Sequence, residues 1–202
     1  MSKNELRNFV NMLKDYNNIE YLFSTIMCNA GLTFAKQKVA SLVTFSNNNR
    51  NLNNIWQEYR NQIEDMLNVN FFEVKTTEKD TVVLFYNKEE LEKLLKEERN
   101  LQFLKRFGYS KEMKLQECLL LLSKRFENVC PHEIGIFLGY PVDDVAYFID
   151  CPNEKCKMVG YWKVYHNLEE AKNTFKRYDN IKYNIMSLMM NGVNPTEVLT
   201  YI

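Results

Sequence analysis

The chain has 202 residues, 46% of them hydrophobic, which is enough for a buried core and excludes a disordered composition. Its 26 basic residues balance 26 acidic ones. Because a general nucleic-acid binder normally carries a basic excess to displace counterions from phosphates, this balance disfavours that class of function.

Neither a membrane span nor export is predicted. No apolar run reaches the roughly 18 residues that a spanning helix needs, and the N-terminal MSKNELRNFV lacks the apolar core of a signal peptide. The five cysteines are odd in number and irregularly spaced, unlike a secreted disulfide framework. Cys151 and Cys156 could be half of a zinc site, but no second CxxC or HxxxH completes it, so two reduced thiols near a turn are the simpler interpretation. We therefore expect a cytoplasmic protein.

The first third of the chain predicts helices and one strand. Ser2 and Glu5 form a capping-box pattern in front of residues with helical apolar spacing, so a first helix begins there. A helix or turn is expected near Cys28, and a buried strand at about 41–45. The polar loop 46–54 then leads to a helix. The inner face of this helix is predicted to consist of Ile55, Trp56, Tyr59, Ile63, Met66 and Leu67.

The middle of the chain predicts a β-hairpin, with strands at 71–75 and 81–86 joined by a polar turn. Asn87 is placed to cap a charged helix, which Gly108 ends. Ser110 is placed to cap the more apolar helix that follows.

The last third predicts short helices, one strand and a long helix. Pro131 suits a first helical turn, and Pro141 can open the next short helix. The run KMVGYWKVY indicates a strand in the interior of a sheet, and Asn167 is placed to cap a long helix that stops by Gly192. Because strands are interspersed among many helices without strict alternation, we predict a single α+β domain over residues 1–202 with a small mixed or antiparallel sheet.

Two long segments carry a resemblance to a known family. PHEIGIFLGYPVDDVAYFI (131–149) followed by GYWKVY (160–165) resembles the signature of DUF3793, a bacterial family of unknown function common in anaerobic Firmicutes. VVLFY (82–86), the helix before Cys130 and residues 33–42 extend the similarity over most of the chain. The resemblance supplies no established reaction and leaves the cofactor unknown. It suggests only an association with iron or flavodoxin-type redox genes.

The chain departs from the family pattern in two places. Family members carry Cys-Ala-Pro-Thr-Leu-Ala-Gly before a Lys-Pro-Ala-Ser-Leu stretch. Aligned on Lys38 and Ser41, this chain has Ala30 where that cysteine stands, with Cys28 two residues away. Tyr147 occupies a position that is usually glycine. These departures predict a diverged member, which has lost any chemistry that depended on the family cysteine.

Within the main motif, His132 and Glu133 are the first candidates for a site. As neighbours on a helix they would point about 100° apart, so they form no ready-made pair. His132 could act as a base or a ligand, because imidazole titrates near neutrality and its nitrogens bind metals well. The alternative is that His132 bonds a neighbouring carbonyl while Glu133 complements the first helical turn.

Two further features of the motifs have simpler structural interpretations. Asp143 and Asp144 follow Pro141 at a predicted helix start, where carboxylates complement the helix dipole, so we assign them to capping. Gly135 and Gly139 lack the ending of a phosphate-binding loop and indicate close packing or a turn.

The GYWKVY segment is more ambiguous. In a strand, Gly160 and Trp162 share one face while Lys163 points to the other. Gly160 could let a ligand approach closely, and Lys163 could meet an anion. The alternative is an ordinary strand with a buried tryptophan.

Two functions remain open, and an enzyme ranks below both because GxSxG, HExxH and GxGxxG patterns are missing. The first is a small-ligand or redox-associated binding domain, with a pocket formed by His132, Glu133, Tyr140, Trp162 and Lys163. The second is a protein-interaction module, acting as an inhibitor or adaptor through the charged helix at 88–107. A concave pocket favours the first function, and a broad exposed apolar patch favours the second.

Overall fold

The computed structural model describes residues 2–48, 50–67, 69–127 and 129–202. Its α-helices are α1 (Lys3–Asp15), α2 (Asn18–Phe34), α3 (Leu52–Leu67), α4 (Lys88–Lys96), α5 (Glu98–Leu104), α6 (Leu115–Phe126), α7 (Ile134–Phe137), α8 (Val142–Asp150) and α9 (Leu168–Met190). Its strands are β1 (Ala40–Ser46), β2 (Asn70–Thr76), β3 (Asp80–Tyr86), β4 (Met158–Val159) and β5 (Lys163–Val164). Short 3₁₀ turns lie at Lys105–Phe107 and Val198–Tyr201. Within these ranges, no helix combines the length and apolar composition needed to cross a membrane.

A three-stranded antiparallel sheet, in the order β1-β3-β2, lies at the centre of the fold. Alternate residues of a strand point to opposite faces. Val83 and Phe85 of β3 therefore enter one hydrophobic core, while Leu84 enters a second core on the other face. Because β3 is buried on both faces, its sequence is almost continuously apolar. The predicted α+β class and the predicted hairpin are both confirmed.

The two cores are built by different helices. On one face of the sheet, α2, α3 and α9 enclose Trp56, which is fully buried and stacks on Phe45 with ring centroids 4.6 Å apart. On the other face, α4 to α8 bury Leu91, Leu119 and Phe137 against the sheet. The second core positions α7 and α8, where the main sequence motif lies.

Local signals predicted the start of the chain well. The capping box of Ser2 and Glu5 is present, so α1 begins as predicted. A second capping box, formed by Asn17 and Glu20, starts α2 and makes the region of Cys28 helical. In α3 the predicted inner face is confirmed except at Met66, which is 55% exposed.

The side chains of Asn87, Ser110 and Asn167 do not form the predicted caps, and two helices begin later than predicted, whereas α4 begins directly after Asn87 as predicted. The side-chain amide of Asn87 does not cap α4 but donates to the carbonyl oxygens of Thr33 and Lys38. Ser110 donates to Glu112 instead, and α6 starts only at Leu115. The side chains of Asn87 and Ser110 thus form hydrogen bonds with other groups and not with the backbone N–H groups of the helix that follows. Similarly, α7 begins at Ile134 and not in the turn of Pro131.

The charged helix predicted at 88–107 is divided. Glu97 has an extended conformation with ψ of 133°, which separates α4 from α5. The segment then ends, as predicted, at Gly108, which adopts a φ of 94° that favours glycine. The exposed charges of this segment therefore belong to two short helices.

The segment KMVGYWKVY is not a strand of the main sheet. It forms a separate two-stranded hairpin of β4 and β5, whose turn spans 160–162. A Cβ atom on Gly160 would lie 2.1 Å from the ring of Phe175 on α9. The glycine therefore admits a neighbouring side chain, not a ligand, and this contact brings α9 against the hairpin.

Candidate functional site

A cavity of about 210 Å³ opens between α7, α8 and the β4-β5 hairpin. Gly135 allows α7 to approach α8 closely, since a Cβ atom there would lie 2.8 Å from Cγ2 of Val145. The left-handed Gly139, with φ of 75°, then turns the chain into α8. Both glycines act as predicted. The cavity is lined by His132, Ile134, Gly135, Tyr140, Asp144, Val145, Phe148, Trp162 and Lys163.

One wall of the cavity is a stack of aromatic rings. The ring of Trp162 is half-buried and lies 5.4 Å from the ring of Tyr140, tilted by 31°. The ring of Phe175 meets Trp162 edge-on at 4.5 Å. Behind the wall, the Lys38 ammonium lies 5.3 Å from the Tyr140 centroid. The motif segments at 131–149 and 160–165 therefore meet at this cavity, and the segment 33–42 contacts Tyr140 of its wall through Lys38.

Phe148 lies at the exposed edge of the cavity, between two polar side chains. The His132 ring meets it edge-on, with centroids 5.0 Å apart. The Lys163 ammonium lies 4.6 Å from the Phe148 centroid. Both polar side chains are exposed. Within the described ranges, neither one forms a hydrogen bond or an ion pair with another side chain.

Asp144 holds the hairpin against α8. Its carboxylate, 4% exposed, accepts a 2.8 Å hydrogen bond from Nε1 of Trp162. It also accepts bonds from the backbone N–H groups of Tyr165 and His166 at 2.9 and 2.8 Å, and it lies 3.1 Å from Nδ1 of His166. A buried carboxylate that satisfies several donors fixes their positions. The assignment of Asp144 to helix capping was therefore wrong, whereas Asp143 pairs with Arg99 on the surface.

Glu133 does not belong to the cavity. Its carboxylate is 1% exposed and pairs with the guanidinium of Arg125 on α6. Its side chain therefore lies outside the predicted pocket, and although Glu133 stands at the start of α7, as the alternative required, it forms no capping hydrogen bond there. The structure brings together the other four predicted residues, His132, Tyr140, Trp162 and Lys163.

Burial shifts the pKa of two side chains at the aromatic wall, Tyr140 and Lys38. It raises the pKa of Tyr140 to about 12, so the phenol stays neutral at physiological pH. Burial, together with the charge of Lys182, lowers the pKa of Lys38 to about 8. Lys38 therefore gives up its proton more readily than an exposed lysine.

The cysteines do not form a recognisable metal centre. Within the described ranges, no group of three or more His, Cys, Asp or Glu side chains is placed to hold a metal ion. Ala30, at the position of the family cysteine, is fully buried in the core beside α9. Cys28 is half-buried on the same helix, and burial raises the pKa of its thiol to about 12.

Among the lining residues that the sequence did not assign to the site, Asp144 and Phe148 contact its predicted side chains. Phe148 stands four residues after Asp144 on α8, so helical periodicity alone could have placed the two on one face. For Asp144 no such signal exists, because its partners lie 18 to 22 residues along the chain. An acidic residue in the first turn of a helix resembles a capping residue until its partners are known.

The resemblance seen in the motifs extends along the chain. A family model described as "Protein of unknown function (DUF3793)" matches residues 26–199, well over half of the sequence. No curated protein and no solved structure shows significant similarity to it. The motif segments that surround the cavity all lie inside the matched range, and the chain belongs to the DUF3793 family.

Proposed function

We propose that this chain is a small-ligand-binding domain and that the cavity between α7, α8 and the hairpin is its binding site. The observation that supports this function is the convergence of His132, Tyr140, Trp162 and Lys163 on one concave, mainly apolar cavity. Ligand sites generally combine such a cavity with a few placed polar groups.

The aromatic wall is held in place before any ligand arrives. The bond from Trp162 to Asp144 fixes the indole plane, and Asp144 is itself fixed by backbone donors of the hairpin. A preformed wall loses little conformational freedom on binding, which favours affinity.

The size of the cavity limits the ligand. Its volume of about 210 Å³ is below the range of roughly 300–1,000 Å³ typical of pockets for drug-sized molecules. We therefore expect a molecule of one or two rings and not a dinucleotide. The predicted redox or iron association has no structural support of this kind and stays a prediction.

The alternative of a protein-interaction module has weaker support. The charged segment that motivated it is divided at Glu97 into two short helices. Large exposed apolar side chains occur on α1, α3, α6 and α9, in the loop before Cys130, on the hairpin and at the C-terminus, so this alternative keeps a surface on which it can be tested. The concave cavity is the observation on which the proposal of ligand binding rests.

A fragment screen by ligand-observed NMR tests the proposal. We expect flat, apolar fragments of one or two rings to bind the wild-type protein, and Phe148→Ala to abolish their binding. Phe72→Ala is the matched control, because Phe72 is also a half-buried phenylalanine but packs in the second core, outside the cavity. Absence of any hit, or equal loss in both variants, would refute the binding site.

A further inference from the structure

We infer that the ligand is an aromatic acid, with its ring in the cavity and its carboxylate at Lys163 and His132. This inference rests on the proposed function and specifies the class of molecule that the site takes. Three features of the cavity lead to it: the rings of its walls, the two polar side chains at its edge, and the state of its one acidic residue.

The walls suit a flat ring. Trp162 and Tyr140 provide aromatic surface on one side and Phe148 provides it at the edge, while Ile134 and Val145 contribute aliphatic surface. Aromatic rings prefer offset or edge-on partners with centroids about 4.5–7 Å apart. A ligand ring can therefore extend the existing stack of Tyr140 and Trp162, whose centroids are 5.4 Å apart.

The edge of the cavity suits an anion. Lys163 and His132 both line the cavity and lie against the Phe148 ring, at 4.6 and 5.0 Å from its centroid, so each can donate to an anionic group bound at this edge. Within the described ranges, no carboxylate lies within 4.0 Å of Lys163. An ammonium and an imidazole that bind no acceptor among the described residues are suitable donors to a ligand carboxylate.

The acidic residue of the cavity does not suit a cation. Asp144 is the one carboxylate among the lining residues. One of its oxygens accepts from Trp162, and the other from the backbone and the ring of His166 and from the backbone of Tyr165. An amine ligand would therefore have to compete with internal donors, while an acid meets two donors that have no such partner.

Isothermal titration with a matched pair of probes tests the inference. Indole-3-carboxylate and indole-3-carboxamide have nearly the same shape, but only the first carries a charge. We expect the acid to bind at least about tenfold more tightly, the usual effect of one charge-assisted hydrogen bond. Equal binding, or tighter binding of the amide, would overturn the inference and leave the proposed function intact.

Variants at the edge locate the charge that is recognised. Lys163→Met should weaken the acid about tenfold and change the amide less than about twofold. Lys157→Met is the matched control, an exposed lysine of the same segment that does not line the cavity, and it should change neither. Acid binding that is unaffected by Lys163→Met contradicts the inference. If no fragment binds at the cavity at all, the proposed function fails together with it.

Discussion

The two tryptophans of the chain form the same local unit in two different surroundings. Trp56 donates its Nε1–H to Glu73 at 2.7 Å, and Trp162 donates its own to Asp144 at 2.8 Å. Trp56 is fully buried, with the ring of Phe45 stacked on it. Trp162 is half-buried and lines a cavity.

The carboxylates explain the difference. Glu73 is held by the guanidinium of Arg60, which donates to both carboxylate oxygens at 2.8 and 2.9 Å. Trp56, Glu73 and Arg60 therefore form a hydrogen-bonded group at the border of the first core. Asp144 is held by the backbone of a hairpin and leaves the indole beside open space. The same hydrogen bond thus stabilises the fold in one region and positions a wall of the candidate site in the other.

The largest expected effect is a difference in the free energy of unfolding between variants that lack one or the other indole. Trp56→Ala removes a fully buried ring from a packed core and should lower the free energy of unfolding by about 3–5 kcal/mol. Trp162→Ala should cost about 1–2 kcal/mol, because a half-buried ring loses less contact. Urea denaturation measures both values. Equal losses would show that Trp162 is a core residue and that the contrast is wrong.

The next effect concerns the carboxylate behind the site. Asp144→Asn places an amide N–H₂ among donors that need acceptors, and it should lower the free energy of unfolding by about 2–3 kcal/mol. Asp143→Asn is the control, since its ion pair with Arg99 is exposed and should contribute at most about 1 kcal/mol. Thermal or urea unfolding checks both variants. A small loss for Asp144→Asn would mean that the hairpin is held by other contacts.

A smaller, pH-dependent effect should appear at Lys38. Its lowered pKa of about 8 means that the folded state carries an unfavourable charge below that pH, whereas the unfolded lysine keeps its proton to about pH 10.4. Stability should therefore rise with pH between these values.

Removing the charge reveals this dependence. Lys38→Met should stabilise the protein at pH 7 by about 1–2 kcal/mol, and the gain should shrink by pH 9.5. Lys36→Met, at an exposed neighbouring position, should show neither effect. Urea unfolding at the two pH values tests the pair. A stabilisation of Lys38→Met that does not change with pH would point to packing as its cause.

The sequence predicted those parts of the molecule that local rules determine. The capping box at Ser2, the β2-β3 hairpin and the turn at Gly139 each depend on a few neighbouring residues. Motif resemblance also selected four residues that share the cavity.

The remaining features depend on tertiary partners and could not be predicted locally. Glu133 pairs with Arg125, and the side-chain amide of Asn87 donates to carbonyl oxygens more than 40 residues earlier in the chain. Strand alternation failed for Trp162 and Lys163, which both line the cavity, because Trp162 lies in the turn and Lys163 begins a strand of only two residues. Position in the fold, and not residue type, decided each of these outcomes.

The most direct test of the binding site uses the two indole N–H groups as internal reporters. In a ¹⁵N-labelled sample, each tryptophan gives one Nε1–H resonance, assigned through the Trp162→Phe variant. Titration with a fragment that binds should shift the Trp162 signal, because its ring lines the cavity, and leave the buried Trp56 signal in place. If the Trp162 signal stays unchanged at saturation, or both signals move equally, the cavity is not the binding site.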